Sequence, residues 1–478
     1  MKVLFLIPPA LDRHPSAERI FGCNYGIYPQ PNIFMLYPAT ILKDSGYDVR
    51  LLDFTNKDNH IGFKEFCENS AFDITVFYTV FLSKQTDLIA RNMLRKGNKS
   101  GKFIFISTEP TASPDSFIDN DTVVLRGESE NRIAPLVEAL KSGKGLDALP
   151  GISYRKDGRD IHQGGYTVLD DLDRLPFPDR SLLNSKSHYN PKLTCGPFTA
   201  IVASRGCSFS CYYCVPNSLD FAREIEFKRE NKMSKPPVRL RSAQNVIAEF
   251  AMLAGQGYRS MAFLDEQFVW GKERTIELCR GIAPFKAEWL CSARADMLQD
   301  REIVEAMADA GCKNVSLGIE SFDQGILDYI GKGCKVDAFY SAVKNLRSAG
   351  IGVEFNILLG SCPLETKDTI WKTFKEVIRL EPDYALFSVC APFPYTIFHT
   401  KAKEQGWMIK PEYEAVDPIK ESFVSYPHLT KRHLEVIIKK LYFRYYFRPG
   451  YIFRKMFKIR NAADLANKLK TALKIMTA

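Results

Sequence analysis

Three cysteines stand within eight residues in Arg205-Gly206-Cys207-Ser208-Phe209-Ser210-Cys211-Tyr212-Tyr213-Cys214. Thiolates at spacing x3 then x2 can wrap one face of a cubane. A [4Fe–4S] cluster has four irons, so three ligands leave one iron open for a cofactor or substrate. A mononuclear zinc site competes, with Cys195 or His188 as a poorly spaced fourth ligand. Buried structural thiols are a further alternative, although Gly and Ser make odd core neighbours. A disulfide scaffold does not suit twelve cysteines scattered over 478 residues with no secretory signal. Val3 to Ile7 is interrupted by Pro8-Pro9 and no small-residue cleavage site follows, so it reads as an opening strand in a cytoplasmic protein.

The surrounding pattern must position that loop. In the first 130 residues, Lys2 to Ile7, Asp48 to Phe54, Asp73 to Val80, Lys102 to Ser107 and Asp121 to Leu125 read as strands separated by helices such as Met35 to Asp44. That alternation predicts a doubly wound, Rossmann-like parallel sheet at 1–149, whose ligands bind beyond the carboxyl ends of its strands. No GxGxxG follows any of them, so dinucleotide binding is not supported. A hairpin turning at Asp157-Gly158 and the Leu175-Pro176-Phe177-Pro178 connector fill 150–192.

A second α/β series begins at Phe198. Strands are expected at Phe198 to Ala203, Ser260 to Leu264, Glu288 to Ala293, Asn314 to Gly318, Val353 to Leu359 and Tyr384 to Cys390. Helices include Ala243 to Leu253, Glu273 to Ile282, Arg301 to Ala310 and Lys367 to Leu380. Six βα units predict a partial (βα)6 barrel at 193–410, with a second doubly wound sheet as the competing architecture. The site belongs at the carboxyl ends of the strands.

The CxxxCxxC motif, with an aromatic before its last cysteine, resembles that of the radical S-adenosylmethionine (SAM) enzymes. The likeness extends to Leu264-Asp265-Glu266, Ser292-Ala293-Arg294-Ala295-Asp296, Gly318-Ile319-Glu320-Ser321 and Leu359-Gly360 through Glu365-Thr366, each just after a strand. The N-terminal domain and the connector resemble the cobalamin-binding subclass, which includes class B radical methyltransferases, anaerobic magnesium-protoporphyrin ester cyclase and hopanoid-pathway enzymes. The resemblance implies that Cys207, Cys211 and Cys214 hold the cluster and that SAM chelates the open iron. Cleavage of its sulfonium would give a 5′-deoxyadenosyl radical that abstracts hydrogen from substrate. Tyr213 would flank the adenine, while Asp265, Arg294, Glu320 and Gly360 would line the cofactor. It implies methyl transfer, oxidation or cyclisation at an unactivated carbon of a lipid, tetrapyrrole or secondary metabolite. It also implies a small, apolar substrate and a low-potential electron donor of the flavodoxin or ferredoxin type.

The chain departs from the subclass in places. Asp58-Asn59-His60-Ile61-Gly62 is not the DxHxxG of mutase-type cobalamin domains, so cobalamin would bind base-off without His60. Ser107-Thr108-Glu109-Pro110 stands where relatives often have Gly-Gly-Pro-His, and its bulk and charge oppose a close approach. A radical SAM enzyme with a vestigial N-terminal domain, and a zinc-stabilised nucleic-acid module, are the alternative readings.

The net charge of +9 comes from 65 basic and 56 acidic residues, but 13 of the cations and only two acids lie in residues 431–478. The remaining body carries a net charge near −2, which excludes a generally basic nucleic-acid binder. Residues 411–478 read as a basic, aromatic helical region. Leu441 to Lys458 interleaves cations with aromatics, and Ala462 to Met476 has helical apolar spacing. Peripheral contact with anionic lipid, a cap over the barrel mouth and plain packing on the barrel are the three expectations for it.

Overall fold

A computed structural model describes residues 1–14, 17–21, 30–55, 62–183, 188–231, 235–411 and 420–456. His60 and the Ala462 to Met476 pattern lie outside them. The chain forms two compact units, one of residues 1–188 with 216–242, the other of 189–215 with 243 onward.

The first unit carries a seven-stranded sheet in the order Asp48–Asp53, Lys2–Ile7, Ile74–Tyr78, Lys102–Ile106, Thr122–Leu125, Ile152–Lys156, Arg159–His162. Its first five strands are parallel and the last two antiparallel. The order reverses at Lys2–Ile7, which makes this the expected doubly wound sheet with a switch point beside that strand. Central strands are buried end to end, as near-continuous Val, Ile and Phe runs require. The expected hairpin is present, with Asp157 at φ 51° and Gly158 at φ 74°, the left-handed pair of a type I′ turn. It extends the sheet rather than standing apart from it.

Residues 216–242 belong to this first unit although they follow the cysteine loop. The helix Ser218–Glu230 packs Phe221 on Phe81, with ring centroids 5.9 Å apart. Its fully buried Glu226 pairs with Arg126 at 2.8 Å. Farther on, Arg239 pairs with the equally buried Glu128 at 2.7 Å.

The second unit holds a six-stranded, all-parallel sheet of Phe198–Ile201, Ser260–Phe263, Glu288–Ala293, Cys312–Glu320, Gly352–Leu359 and Tyr384–Val389. Neighbours follow sequence order from one edge to the other. A doubly wound sheet would reverse at a switch point, so the sequential order identifies the partial barrel. Helices cover it through 3.6-periodic stripes, such as Val246, Phe250 and Leu253 of Ala243–Gly255. Helix Lys367–Leu380 starts at Thr366, whose hydroxyl accepts from Thr369 N.

The C-terminal region is helical over Lys431–Tyr446 and Pro449–Met456. Leu434, Ile437, Ile438, Leu441, Tyr442 and Tyr445 are buried. Tyr442 Oη donates to Phe387 O at 2.9 Å and Tyr446 Oη to Ala385 O at 3.0 Å. The helix thereby covers the exposed edge of the sixth barrel strand, which would otherwise present unpaired backbone groups. Among the described residues no helix is long and apolar enough to cross a membrane.

Candidate active site

The cysteine loop leaves the first barrel strand through Gly206, at φ 91°, where a side chain would be strained. Cys207, Cys211 and Cys214 are half-buried and in no disulfide. Cys279, Cys291, Cys312, Cys334, Cys362 and Cys390 of the same unit are buried. Six cysteines thus serve the core, and the three of the motif remain accessible, as metal-ligating thiolates must. The loop is held by its own aromatic. Buried Tyr212 donates its N–H to Ile330 O at 3.1 Å and its hydroxyl to Ser361 O. Its ring lies 5.9 Å from Tyr329 and 5.3 Å from Phe398, with Lys401 Nζ 5.3 Å away.

Arg294 follows the third strand, but its guanidinium is fully engaged within the protein. It meets Asp296 through Nε and Nη2, both at 3.0 Å. Nη1 donates to Lys332 O at 2.8 Å and Nη2 to Gly333 O at 3.0 Å. The guanidinium carbon lies 3.4 Å from the centroid of the Phe209 ring, inside the cysteine loop. Arg294 therefore joins the loop to the turn at 331–333. A Cβ on Gly331 would stand 3.2 Å from Ser210 O, which shows how tightly that turn lies on the loop.

Glu320 ends the fourth strand in the left-handed region, at φ 61°. Its Oε1 accepts from Lys332 Nζ at 2.9 Å, and both side chains are buried. Gly318 makes room for the pair: a Cβ there would fall 2.6 Å from Lys332 Nζ and 2.8 Å from Glu320 Oε1. Burial opposes the charge on Lys332, yet Glu320 and Cys211 outweigh it and hold the ammonium pKa above its ordinary value. Tyr213 is half-buried, and burial of its hydroxyl, with Glu320, Cys211 and Cys214 nearby, pushes that pKa well up.

Asp265, after the second strand, accepts from Ala203 N at 3.1 Å and from Ser204 Oγ. Burial raises its pKa to about 6, against the opposing effect of those hydrogen bonds. Asp265 thereby braces the backbone entering the cysteine loop. Gly360 follows the fifth strand at φ 66°, and a Cβ there would meet Leu434 Cδ1 at 2.9 Å. Its N–H donates to Glu365, a buried carboxyl whose pKa burial raises to about 8.

The structure thus brings Tyr213, Arg294 and Glu320 to the cysteine loop, sets Asp265 beneath its entrance, and fixes Gly360 among Glu365, Tyr426 and Leu434. Sequence reasoning missed Lys332 and Phe209. A lysine between two glycines, twelve residues after Glu320, was the signal for the first. A lone phenylalanine in a loop gives none for the second.

In the first unit, Ser107 stands at φ 86° beyond the fourth strand, and Thr108 opens a short helix. The buried hydroxyls of Ser107 and Thr108 have no hydrogen-bond partner among the described residues. The Glu109 carboxylate is not loose: it pairs with Lys84 at 2.7 Å, though burial still raises its pKa. At the switch point, buried Asp87 is held by both Arg19 nitrogens at 2.7 Å and by the Thr79 hydroxyl at 2.7 Å.

Residues 201–377 match the Radical SAM superfamily. An uncharacterized methyltransferase of Pyrococcus horikoshii is 26% identical over 476 residues, which cover 96% of this chain and 95% of that protein. Anaerobic magnesium-protoporphyrin IX monomethyl ester cyclase of Cereibacter sphaeroides is 25% identical over 442 residues, 88% of this chain and 66% of that protein's length. A solved structure of the radical SAM methyltransferase TsrM from Kitasatospora setae, with cobalamin and a [4Fe–4S] cluster bound, superposes with a TM-score of 0.63. It is 16% identical, covers 86% of this chain and 76% of its own, and so shows likeness of fold.

Proposed function

Starting from a chain that carries a radical SAM domain and is an enzyme of that kind, we propose that it modifies an unactivated carbon of a small, apolar molecule by methyl transfer or oxidative cyclisation. Cys207, Cys211 and Cys214 hold one [4Fe–4S] cluster and SAM takes the open iron. The observation that carries this reading is that three accessible thiols cluster within eight residues, while six other cysteines of the unit are buried and the exposed Cys195 stands outside the motif. Three clustered thiolates are the donor set of a cluster with one vacant coordination position. When bound and reduced, the cluster supplies the electron that cleaves the SAM sulfonium.

The chain's own residues orient and exclude. Tyr213 and the Glu320–Lys332 pair would hold the cofactor's polar end, with Lys332 giving a fixed positive charge beside Cys211. Gly360 lets the chain turn at the end of the fifth strand while Leu434 packs against it. Asp265 and Arg294 act through the loop, one bracing its entrance and the other tying it to the 331–333 turn. Cobalamin would be held by the first unit, at the carboxyl ends of its strands. The unpartnered hydroxyls of Ser107 and Thr108 suit a polar ligand group there, because buried hydroxyls ordinarily find partners. When bound, cobalamin supplies a methyl carrier. A flavodoxin- or ferredoxin-type protein would deliver the electron.

The buried Arg19–Asp87 pair at the switch point favours a second reading, in which the first unit is vestigial and binds no cobalamin. Anaerobic purification separates the two, since retained cobalamin has its own visible spectrum. Iron and sulfide analysis with detection of 5′-deoxyadenosine under reduction tests the whole. Fewer than three irons per chain, or no 5′-deoxyadenosine, would refute it, and stoichiometric zinc would point to the nucleic-acid module.

A further inference from the structure

Helix Lys431–Tyr446 has two faces of opposite character. One buries Leu434, Ile437, Ile438, Leu441 and Tyr445. The other exposes Arg432, Val436, Lys439, Lys440, Phe443 and, one residue past the helix, Phe447. These recur at intervals of three and four, so they form one stripe along the helix. Phe443 is 63% exposed and Phe447 42%, and their rings stack on each other at 4.9 Å. The following helix exposes Ile452 and Phe453 as well. Large apolar groups rarely stand in water in such density without a partner.

Charge identifies that partner. Residues 431–456 contain eight Lys or Arg and one acid, Glu435. Lys439 and Lys440 sit within the apolar stripe rather than around it. Protein interfaces deplete lysine from their centres, whereas an interfacial helix at a lipid surface wants rings and cations side by side. Val436 and Ile452 are aliphatic and cannot stack on bases, which disfavours single-stranded nucleic acid. We propose that the outward stripe of helix Lys431–Tyr446, centred on Phe443, Phe447, Lys439 and Lys440, docks this enzyme on an anionic lipid bilayer. The rings enter the headgroup boundary while the ammonium groups meet lipid phosphates. The opposite face stays on the barrel, so docking leaves the fold unchanged.

Flotation of the full-length, cluster-loaded chain tests this. The probes are phosphatidylcholine vesicles with and without phosphatidylglycerol. Wild type should float with the anionic vesicles and lose binding as salt is raised. The double variants F443S/F447S and K439A/K440A should each bind about tenfold more weakly or worse, with unchanged melting temperature. Equal binding to neutral and anionic vesicles, or none to either, would overturn the proposal. So would unchanged binding by F443S/F447S, which would move the contact to residues 457–478. A dimer in light scattering that F443S/F447S converts to monomer would make a second copy the occupant instead.

Discussion

The guanidinium of Arg294 lies over Phe209, its carbon 3.4 Å from the ring centroid, while its nitrogens hold the carbonyls of Lys332 and Gly333. One side chain from the third barrel strand thus grips two segments that the chain itself joins only through more than a hundred residues. Its work is to fix the shape of the loop that presents three thiols.

Replacing Arg294 by Met keeps much of the stem but removes the cation and its donors. The variant should lose about 2 kcal/mol of stability and reconstitute with less iron per chain. Urea denaturation and iron analysis measure both, and full iron at unchanged stability would contradict the clasp.

Lys332 places a positive charge beside Cys211 in a dry environment, where charges interact strongly. A cluster gains negative charge on reduction, so losing that cation should lower its midpoint potential. K332M should show the drop in an anaerobic redox titration followed by electron paramagnetic resonance, and K332R should recover most of it. Equal potentials in all three proteins would assign Lys332 to packing alone.

Each of Cys207, Cys211 and Cys214 is required for a cluster with three ligands. Single Ala variants should bind little or no iron, whereas C195A, altering an exposed cysteine outside the motif, should load fully. Normal loading of any motif variant would call for a different ligand set.

Glu365 carries a pH prediction. Its pKa rises from 4.5 unfolded to about 8 folded because it is buried with only the Gly360 and Ser361 amides to meet it. Between those values the unfolded carboxyl ionises and the folded one does not. Its favourable contribution is therefore complete below about pH 4.5 and lost as pH rises toward 8. E365Q cannot ionise, so its stability relative to wild type should grow over that window. The gain should reach a few kcal/mol, at roughly 1.4 kcal/mol for each step of one in pH. Denaturant melts at several pH values read this directly, and a pH-independent difference would rule it out.

Thr108→Val removes a buried hydroxyl that lacks a partner among the described residues. Apoprotein stability should hold or rise by up to about 1 kcal/mol, since an unmet polar group is lost. Cobalamin retention should fall. Unimpaired retention would mean that the hydroxyl is merely buried.

Much of this was readable in the sequence, for physical reasons. Strand Glu288–Ala293 and helix Lys367–Leu380 fall where alternation and 3.6-periodicity put them, because their own burial writes the pattern. The cysteine motif was legible because its three thiols fall within eight residues of one loop. Arg294 is expected to face a ligand, and its partners inside the protein are Asp296, two carbonyls and a ring. Backbone acceptors have no residue identity, so no sequence pattern reports them. Nor does local periodicity announce that Glu226 and Arg239 answer Arg126 and Glu128, a hundred residues earlier.

That last pairing bears on synthesis. A ribosome completes residues 1–188 well before it makes residues 216–242, and the three cysteines emerge in between. Until then Arg126 and Glu128 lack their buried counter-charges, and an unpaired buried ion costs several kcal/mol. The amino-terminal portion released alone, as a fragment or as half of a chimera, would carry that penalty permanently. Exchange of this domain between related enzymes therefore has to move two separate stretches of gene, with the cysteine loop's codons lying between them.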